Sequence, residues 1–512
     1  MHIAFLNPQG NFDPADSYWT EHPDFGGQLV YVKQVAIAIA AQGHQVDILT
    51  RRILDADWPE FGERFDSYPG IKNVRIVRLK AGPKKFLRKE LLWPYLVKDW
   101  VPNILAFYRD EGRFPDAMTA HYGDGGLAGV LLEAATGIPF TFTGHSLGAQ
   151  KMDKLDVSPD NLESMDRHFH FTRRLIAERL SMNRSAVNIT STEQERFEQY
   201  SHRAYREAID ANEDRRFCVI HPGVYAKIFS AEVRSSHEDE VQQLILDRCE
   251  RDLAEDRQDL PAILASSRLA PKKNLQGLVE AFASSKKLQE IANLVLITGG
   301  LDNPLEEEAP DDEIERVLAP IRKVVKKHKL WGKISAFSLP DQAALAACYR
   351  FLADRGSVFA LTSLHEPFGL APLEAAAAGL PVVVTKNSGI GDILQQKEDE
   401  YGILVDPSDP LDIARGLEEV MTDRQLWQDL RSRAQTLVLN HYTWDSTGQE
   451  YLKSIEEIVE SPGARRPQKV LTIPDYFRNP TIANDISVEE LSKLYFDGVV
   501  ELKRDTQRSD SA

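Results

Sequence analysis

The sequence predicts two α/β domains in series, each a doubly wound, Rossmann-like sheet of parallel strands. Short apolar runs alternate with helical segments from the first residue, as expected when each strand is followed by a crossover helix. An acidic helical stretch over 230–260, closed by Pro261, interrupts the alternation, which then starts again. A chain of 512 residues is also too long for one ordinary core. We therefore predict an N-terminal domain over 1–228 and a C-terminal domain over 229–445.

The first half alternates buried strands with helices, and its first loop contains two glycines. The predicted strands are 2–7, 45–50, 73–79, 117–119, 139–143, 185–190 and 217–220. The helices between them include 29–41, 93–109, 127–135, 165–180 and 193–200. The loop 8–28 carries Gly26, Gly27 and Gln28. Paired glycines let a backbone approach a phosphate or sugar closely, although a plain turn is an equally good interpretation.

The second half has a basic loop directly after its first strand. The predicted strands are 261–266, 293–298, 333–337, 358–361, 382–384 and 402–405. Arg268 and Lys273 stand five residues apart in the loop after the first of them. A guanidinium fork and an ammonium at this spacing could hold a diphosphate from two sides, although two lysines at a helix start are often only solvated. In a chain of net charge −17, a basic loop at this position favours the functional interpretation.

The stretch 364–381 places two carboxylates around a turn between two buried strands. Glu366 and Glu374 are eight residues apart, and the pattern predicts that Pro372 begins a short helix that Gly379 ends. Glu374 would then lie in the first helical turn. The helix N-terminus would attract phosphate, and the carboxylates would accept hydrogen bonds from sugar and ribose hydroxyls. The alternative is a solvated Glu366 and a Glu374 that only complements the helix dipole.

Residues Gly144 to Gly148 match the G-x-S-x-G pattern of an α/β-hydrolase nucleophile elbow. A hydrolase would need a packed helix behind Ser146, and the polar run that follows argues against one. No later histidine stands out as the catalytic base. His145 is either a satisfied loop histidine or a hydrogen-bond donor to a substrate hydroxyl, and its place at a strand end favours the donor.

Composition excludes several classes of function. The charge of −17 argues against nucleic acid as the principal partner. Three cysteines without metal-ligand spacing indicate a reduced, cytoplasmic protein. The absence of an export signal and of any apolar run near 18 residues predicts no membrane insertion. We interpret Asp55 and Asp57 as part of a solvated turn, and we predict no metal site and no tightly bound cofactor. The sequence does not decide whether activity depends on Mg²⁺. The polar tail after residue 502 predicts a frayed end.

Taken together, the motifs resemble the retaining, nucleotide-sugar-dependent glycosyltransferases of family 4. The resemblance covers the chain to about residue 480 and rests on the segments 5–13, 24–32, 121–126, 142–148, 267–269 and the two glutamates of 366–374. It implies the GT-B fold, in which two Rossmann-like domains face a central cleft. It also implies that the last helix, within 446–512, packs back on the N-terminal domain. One departure is Asn387 to Asp392, where relatives usually have Asn-Gly-Gly-Pro.

The resemblance implies roles in binding a UDP-glucose donor. Arg268 and Lys273 would grip the diphosphate, Glu374 would bind the ribose, and Glu366 would face the glucose. His145 would hydrogen-bond the glucose, with its carbonyl near the anomeric carbon. Together with Glu366, the catalytic set is thus His145, Arg268 and Lys273. The remaining donor-binding residues implied are Gly26, Gly27, Phe368, Gly369 and Leu370.

The resemblance also implies a fructose 6-phosphate acceptor and transfer with retention. The implied acceptor-binding residues are Gln28, Lys89, Tyr122, Ser146, Lys151, Arg173 and Arg174. The product, sucrose 6-phosphate, would pass to a phosphatase. Two alternatives stay open beside the hydrolase: a related transferase that acts on free fructose, and a sugar-phosphate sensor without catalysis.

Overall fold

The computed structural model of the chain describes residues 1–19, 22, 24–234, 238–366, 368–396 and 399–497. The chain divides into two units: unit 1 is Met1–His221 with Thr447–Ala512, and unit 2 is Pro222–Ser446. The change of unit after His221 falls seven residues before the predicted boundary at 228 (228 − 221 = 7). The acidic segment 230–260 therefore belongs to unit 2. The predicted frayed end after residue 502 lies outside the described residues.

Unit 1 is built on an eight-stranded sheet in the order β3-β4-β2-β1-β5-β6-β7-β8. Its strands are β1 His2–Leu6, β2 Gln45–Arg51, β3 Phe65–Asp66, β4 Val74–Leu79, β5 Ala117–His121, β6 Phe140–Thr143, β7 Val187–Thr190 and β8 Phe217–Val219. The ladders between neighbouring strands are parallel, except that the short edge strand β3 runs antiparallel to β4. The central strands are buried along their length, as expected for a parallel sheet covered on both faces.

The helices of unit 1 follow its strands in alternation. They are α1 Gly27–Ala41, α2 Trp93–Tyr95, α3 Val101–Asp110, α4 Tyr122–Thr136, α5 Gly148–Lys154, α6 Leu162–Phe169, α7 Phe171–Arg184 and α8 Glu193–Glu195. Two of them begin earlier than predicted, α1 at Gly27 and α4 at Tyr122. The helix predicted over 165–180 is two helices, because His170 adopts a left-handed conformation with φ 50° and breaks the ladder.

Unit 2 is built on a six-stranded parallel sheet in the order β11-β10-β9-β12-β13-β16. Its strands are β9 Ala262–Ser266, β10 Asn293–Ile297, β11 Ile334–Phe337, β12 Val358–Leu361, β13 Val382–Thr385 and β16 Ile403–Val405. A separate antiparallel pair is formed by β14 Gln395–Gln396 and β15 Asp399–Glu400. The helices are α9 Ala226–Phe229, α10 Glu238–Asp252, α11 Leu275–Ser284, α12 Lys286–Ile291, α13 Asp312–His328, α14 Gln342–Asp354, α15 Leu370–Ala377, α16 Gly389–Leu394, α17 Pro410–Thr422 and α18 Arg424–His441.

The chain returns to unit 1 with α19 (Trp444–Glu460) and the segment after it. Gly448 of α19 packs so closely on α1 that an added Cβ would lie 2.4 Å from Cβ of Ala38. Further along, Ile473, Phe477 and Tyr495 are buried in the main core of unit 1. The C-terminal segment is therefore an integral part of unit 1.

Each sheet has one point at which the order of its strands reverses direction. In unit 1 this point lies between β1 and β5, and in unit 2 it lies between β9 and β12. Ligands of doubly wound folds bind beside the carboxyl ends of the strands at such a point. The topology therefore directs attention to the loops after β1, β5 and β6 in unit 1, and after β9 and β12 in unit 2.

The N-termini of the helices fall into two classes. Side-chain caps satisfy the first turn of α13, α14 and α17, where Asp311, Asp341 and Asp409 accept hydrogen bonds from backbone N–H groups. By contrast, α1 and α15 begin after Gly26 and Gly369, with no side-chain cap and no acidic residue in the first turn. These two helices leave backbone donors unsatisfied at their starts. Among the described residues, none of the helices has the length and apolar character needed to cross a bilayer.

Candidate active site

The loop after β9 places two cations at the reversal point of unit 2. Arg268 is exposed, and its guanidinium has no ion pair or hydrogen bond among the described residues. Lys273 ends a single helical turn and is followed by Asn274, which is left-handed with φ 52°. The Asn274 side chain caps α11 and donates to the carbonyls of Thr362, at 3.0 Å, and Pro407, at 2.7 Å. Asn274 therefore fixes the basic loop against the loops after β12 and β16.

Lys273 and Glu366 form an ion pair across two of these loops. The ammonium of Lys273 donates to Oε2 of Glu366, and both side chains are 16% exposed. Ser363 Oγ lies 3.5 Å from the same carboxylate oxygen. The pair is thus nearly neutral as a unit and offers both donors and acceptors to a polar ligand.

The backbone of Glu366 pairs with the loop in which the sequence departs from the family pattern. Its N–H donates to the Asn387 carbonyl at 3.1 Å, and its own carbonyl accepts from the N–H of Gly389 at 3.3 Å. The Asn387 side chain also reaches the carbonyl of Leu364. Changes in the 387–392 loop are therefore transmitted directly to the position of Glu366.

The helix that follows Glu366 begins earlier than predicted. Gly369 is left-handed with φ 93° and precedes the first helical residue, Leu370, so Pro372 is the third residue of α15 and not the first. Glu374 consequently lies in the second turn, and the prediction of a first-turn position is wrong. The side chain of Phe368 is buried in the core of unit 2 and is therefore used in packing.

Glu374 is a half-buried carboxylate with no hydrogen-bond partner among the described residues. Burial raises its pKa to about 7. Removing a carboxylate from water without a partner favours its protonated form. Glu374 is therefore poised to accept hydrogen bonds that this structure does not supply.

In unit 1, Gly26, Gly27 and Gln28 lie at the uncapped start of α1. Gly26 is extended, with φ 164°, and an added Cβ at either glycine would meet nothing within 4 Å. The glycines are thus not required by a left-handed turn, and the space in front of the helix start is open. Nε2 of Gln28 is buried and has no hydrogen-bond partner among the residues that the structure describes. Open backbone donors beside an unpartnered amide suit an oxygen-rich ligand.

Two lysines of the predicted acceptor set meet at Glu90. Lys89 Nζ lies 2.5 Å from Asp24 and 3.8 Å from Glu90, whereas Lys151 Nζ lies 3.9 Å from Glu90. Lys151 also lies 4.0 Å from the ring centre of Phe169. Burial, together with the charge of Arg174, lowers the pKa of Lys151 to about 8. Lys151 is thus an under-compensated cation, and an anion placed beside it would restore its pKa.

Arg174 connects the other members of this set. It is buried and donates to Glu178 Oε1 at 2.8 Å and to the carbonyl of Ser146 at 2.7 Å. Its guanidinium also stacks over the ring of Tyr122 at 4.8 Å. The structure thus brings Arg174, Tyr122 and Ser146 together, which spacing in the sequence does not show.

Arg173 has different partners from its neighbour. Its guanidinium makes a two-point contact with Asp485, at 3.2 and 2.6 Å, and stacks over Tyr476 at 4.8 Å. Both partners come from the C-terminal segment. The two consecutive arginines therefore contact different groups, as their positions on successive sides of α7 require.

His145 follows β6 in a left-handed conformation with φ 55°. Its Nε2 lies 3.0 Å from Nδ1 of His121, and its ring packs edge-on against Tyr31. Burial lowers the pKa of His145 to about 4, so the imidazole is neutral at physiological pH. Ser146 lies in the following turn, and a short helix, α5, does follow the loop despite its polar sequence.

Several residues of this site carried no assigned role in the sequence. His121, Asp24 and Asn274 fall inside motifs that the sequence displays, and Glu90 directly follows Lys89. Tyr31 also falls inside a displayed motif, 24–32, whereas Tyr451 lies outside all of the motifs and gave no signal. Within the described residues there is no group of three His, Cys, Asp or Glu side chains placed to hold a metal ion.

Glu374 makes unfolding depend on pH in a defined direction. In the folded chain the Glu374 carboxyl keeps its proton up to about pH 7. In the unfolded chain, where its pKa has the ordinary value of 4.5, the carboxyl has lost the proton by that pH. The folded state thus binds more protons between these values, and stability falls as pH rises. We predict that Glu374→Gln increases the free energy of unfolding at pH 8 by about 1–3 kcal/mol and so raises the thermal midpoint. The increase should be smaller at pH 5. The control is Glu290→Gln, an exposed carboxylate on α12, and equal shifts in both variants would contradict the prediction.

Comparison with known proteins places the chain among glycosyltransferases. Residues 251–437 match the family "Glycosyl transferases group 1", and residues 26–209 match "Glycosyl transferase 4-like domain". The probable sucrose-phosphate synthase of Thermosipho melanesiensis is 40% identical over 459 residues, which cover 89% of this chain and 97% of that protein. The sucrose-phosphate synthase of Zea mays is 32% identical over 89% of this chain. The chain spans about half the length of such plant relatives, 47% in that case.

The solved structures agree on the fold. Sucrose-phosphate synthase from Thermosynechococcus elongatus superposes with a TM-score of 0.62 at 23% identity, over 90% of this chain and all of that one. Anabaena HepE in complex with UDP-glucose gives 0.54 at 15% identity, over 89% of this chain and all of that one. The predicted GT-B fold is thereby confirmed, and the alternative of a Ser146 hydrolase is wrong. The chain belongs to the sucrose-phosphate synthase family of GT-B glycosyltransferases.

Proposed function

We propose that the protein transfers glucose from UDP-glucose to the 2-hydroxyl of fructose 6-phosphate, giving sucrose 6-phosphate and UDP with retention at the anomeric carbon. The names of its relatives support a sucrose phosphate product, and the bound UDP-glucose of HepE supports the donor. The observation that carries the proposal is the group of cations around Glu90 and Tyr122 in unit 1. That group favours an acceptor that carries a phosphate.

The acceptor phosphate has a site of defined chemistry. Lys151 carries too little compensating negative charge, and Lys89 lies beside the same carboxylate, Glu90. Arg174 contacts the carbonyl of Ser146 and the ring of Tyr122, two residues whose hydroxyls could donate to a phosphate. A phosphate dianion would be bound by charge and by hydroxyl donors together. Free fructose offers no negative charge to Lys151, which disfavours the alternative of an unphosphorylated acceptor.

The donor diphosphate suits the reversal point of unit 2. Arg268 is exposed and unpaired among the described residues, and α15 begins with free backbone donors. These are the two features that a diphosphate requires. Glu374, unpartnered and beyond the first turn, would accept hydrogen bonds from the ribose hydroxyls. The Lys273–Glu366 pair would face the glucose, whose hydroxyls both donate and accept.

The reaction needs no general base from the protein. The 2-hydroxyl of the acceptor attacks the anomeric carbon from the face on which UDP departs, as the bond to the phosphate oxygen breaks. That phosphate oxygen takes the proton of the hydroxyl, so that UDP leaves and configuration is retained. The contribution of Arg268 and Lys273 is to stabilise the charge that develops on the leaving group. The rest of the rate enhancement comes from His145 and Glu366, which position the glucose for attack.

A UDP-release assay tests the proposed substrates directly. UDP-, ADP- and GDP-glucose are each combined with fructose and with fructose 6-phosphate, and the product is analysed for its anomeric configuration. We expect the fastest release with UDP-glucose and fructose 6-phosphate, and an α-glucosidic product. Faster turnover with free fructose would refute the phosphate site. Binding of both ligands without release of UDP would indicate a sensor.

Arg268→Ala should lower kcat about 10²-fold or more, because one preorganised partner of the developing charge is lost. The measurement is steady-state UDP release with the expected substrates. Arg316→Ala, which removes an exposed arginine of α13, is the matched control and should behave as wild type. Wild-type turnover in Arg268→Ala would remove Arg268 from the donor site.

Lys151→Ala should raise the KM for fructose 6-phosphate about tenfold, the effect of losing one charge-assisted contact with phosphate. The KM for UDP-glucose should stay near its wild-type value. Lys72→Ala, at an exposed surface lysine, controls for the change in net charge. An unchanged KM for fructose 6-phosphate would show that the phosphate binds elsewhere.

A further inference from the structure

A chain of buried hydrogen bonds leads from helix α19 to the imidazole of His145. Oη of Tyr451 lies 2.9 Å from Oγ1 of Thr143 and 2.9 Å from Oγ1 of Thr119. Oγ1 of Thr119 lies 3.2 Å from Nε2 of His121, whose Nδ1 lies 3.0 Å from Nε2 of His145. The first four side chains are buried. The series of hydrogen bonds ends at Nδ1 of His145, which has no partner among the described residues.

The two imidazoles share one proton between them. Burial lowers the pKa of His121 well below its ordinary value and that of His145 to about 4, so both rings are neutral. A neutral imidazole has one N–H and one acceptor nitrogen. Either His121 donates to His145, which leaves the outer proton on Nδ1 of His145, or His145 donates to His121, which leaves Nδ1 as an acceptor. The direction of donation along the hydrogen bonds therefore decides whether His145 presents a donor or an acceptor to a ligand.

The Thr143 hydroxyl decides that direction. Its contact with Tyr451 is its only hydrogen bond among the described residues. If Thr143 donates to Tyr451, then Tyr451 donates to Thr119 and Thr119 to Nε2 of His121. Thr141 also donates to Thr119, at 2.8 Å, so the Thr119 hydroxyl accepts two hydrogen bonds and donates one. Every hydroxyl proton is then used.

The reverse direction leaves a buried proton without an acceptor. Tyr451 would donate to Thr143, and the hydroxyl proton of Thr143 would have no partner in the described part of the chain. An unsatisfied buried donor costs free energy that the first arrangement avoids. The network thus favours donation toward His145.

We propose that Tyr451, Thr119 and His121 are positioning residues that hold His145 in the tautomer with its proton on Nδ1. His145 then presents a hydrogen-bond donor to an oxygen of the glucosyl donor. That last step rests on the proposed function, whereas the tautomer does not. The network also gives α19 a role in the chemistry: the helix with which the chain returns to unit 1 supplies the tyrosine that directs the hydrogen bonds.

The tautomer is measured without substrate by long-range ¹H–¹⁵N correlation spectra of the ¹⁵N-histidine-labelled protein. His145→Asn identifies the resonances of His145. We expect the proton on Nδ1 in the wild type, and a shift toward Nε2 in Thr119→Val, in which Nε2 of His121 loses the hydroxyl that donates to it. A proton on Nε2 of His145 in the wild type would overturn the proposal. Because no substrate is present, the result is independent of which reaction the enzyme performs.

Kinetics then separate positioning from stability. Thr119→Val should lower kcat about tenfold, with the KM of both substrates within about twofold, as expected when a fraction of His145 is in the wrong tautomer. The matched control is Tyr108→Phe, which removes another buried hydroxyl of unit 1, one that donates to Asp47 of β2, two strands away from β5. It should lose comparable stability and keep its kcat. Equal kcat values for the two folded variants would overturn the proposal.

Thr119 offers an internal rescue test. Thr119→Val removes the hydroxyl in the middle of the network at nearly constant shape, whereas Thr119→Ser retains it. We expect the valine variant to lose kcat and the serine variant to recover most of it. Equal activity of both folded variants would contradict a directional network. Should the valine variant not fold, the wild-type tautomer alone decides the proposal.

Discussion

Both units depend on the same constraint, which is that a parallel sheet must be covered by helices on both faces. The central strands of each unit are buried, and their backbone groups are used in the ladders. Chemistry is thereby confined to the loops at the strand ends. Within those loops, the reversal points between β1 and β5 and between β9 and β12 are where ligands of doubly wound folds bind. The candidate residues of each unit lie in loops and helix starts around these points.

Stability and function are in tension at these loops. Structural helices such as α13 and α14 have aspartate caps, while α1 and α15 start on glycine with their donors unsatisfied. Glu374 is kept partly buried without a partner, which raises its pKa. Each of these features costs folding free energy that a ligand would return on binding. Such local violations of good helix design are expected where a protein binds its substrates.

The fold could be predicted from the sequence because local patterns of apolar and polar residues determine where its strands and helices lie. Apolar runs located the strands within a few residues, and the interruption near residue 230 located the second unit. The errors arose where tertiary contacts override local signals. Gly369 in a left-handed conformation starts α15 before Pro372, and His170 divides one predicted helix into two. The network from Tyr451 to His145 could not be predicted, since its members are 332 residues apart in the chain, between Thr119 and Tyr451.

The acidic character of the chain is compatible with two anionic ligands because the cations differ in their pairing. Lys89 and Lys273 are compensated by Asp24 and Glu366, so a phosphate gains from them only what it takes from an existing partner. Arg268 is unpaired among the described residues, and Lys151 touches a carboxylate only at 3.9 Å. The charge of Arg268 is therefore available to a ligand, and that of Lys151 is only weakly compensated. Binding energy should therefore come mainly from the uncompensated cation of each unit, while the paired cations orient the ligand and keep each half-site close to neutral in its absence.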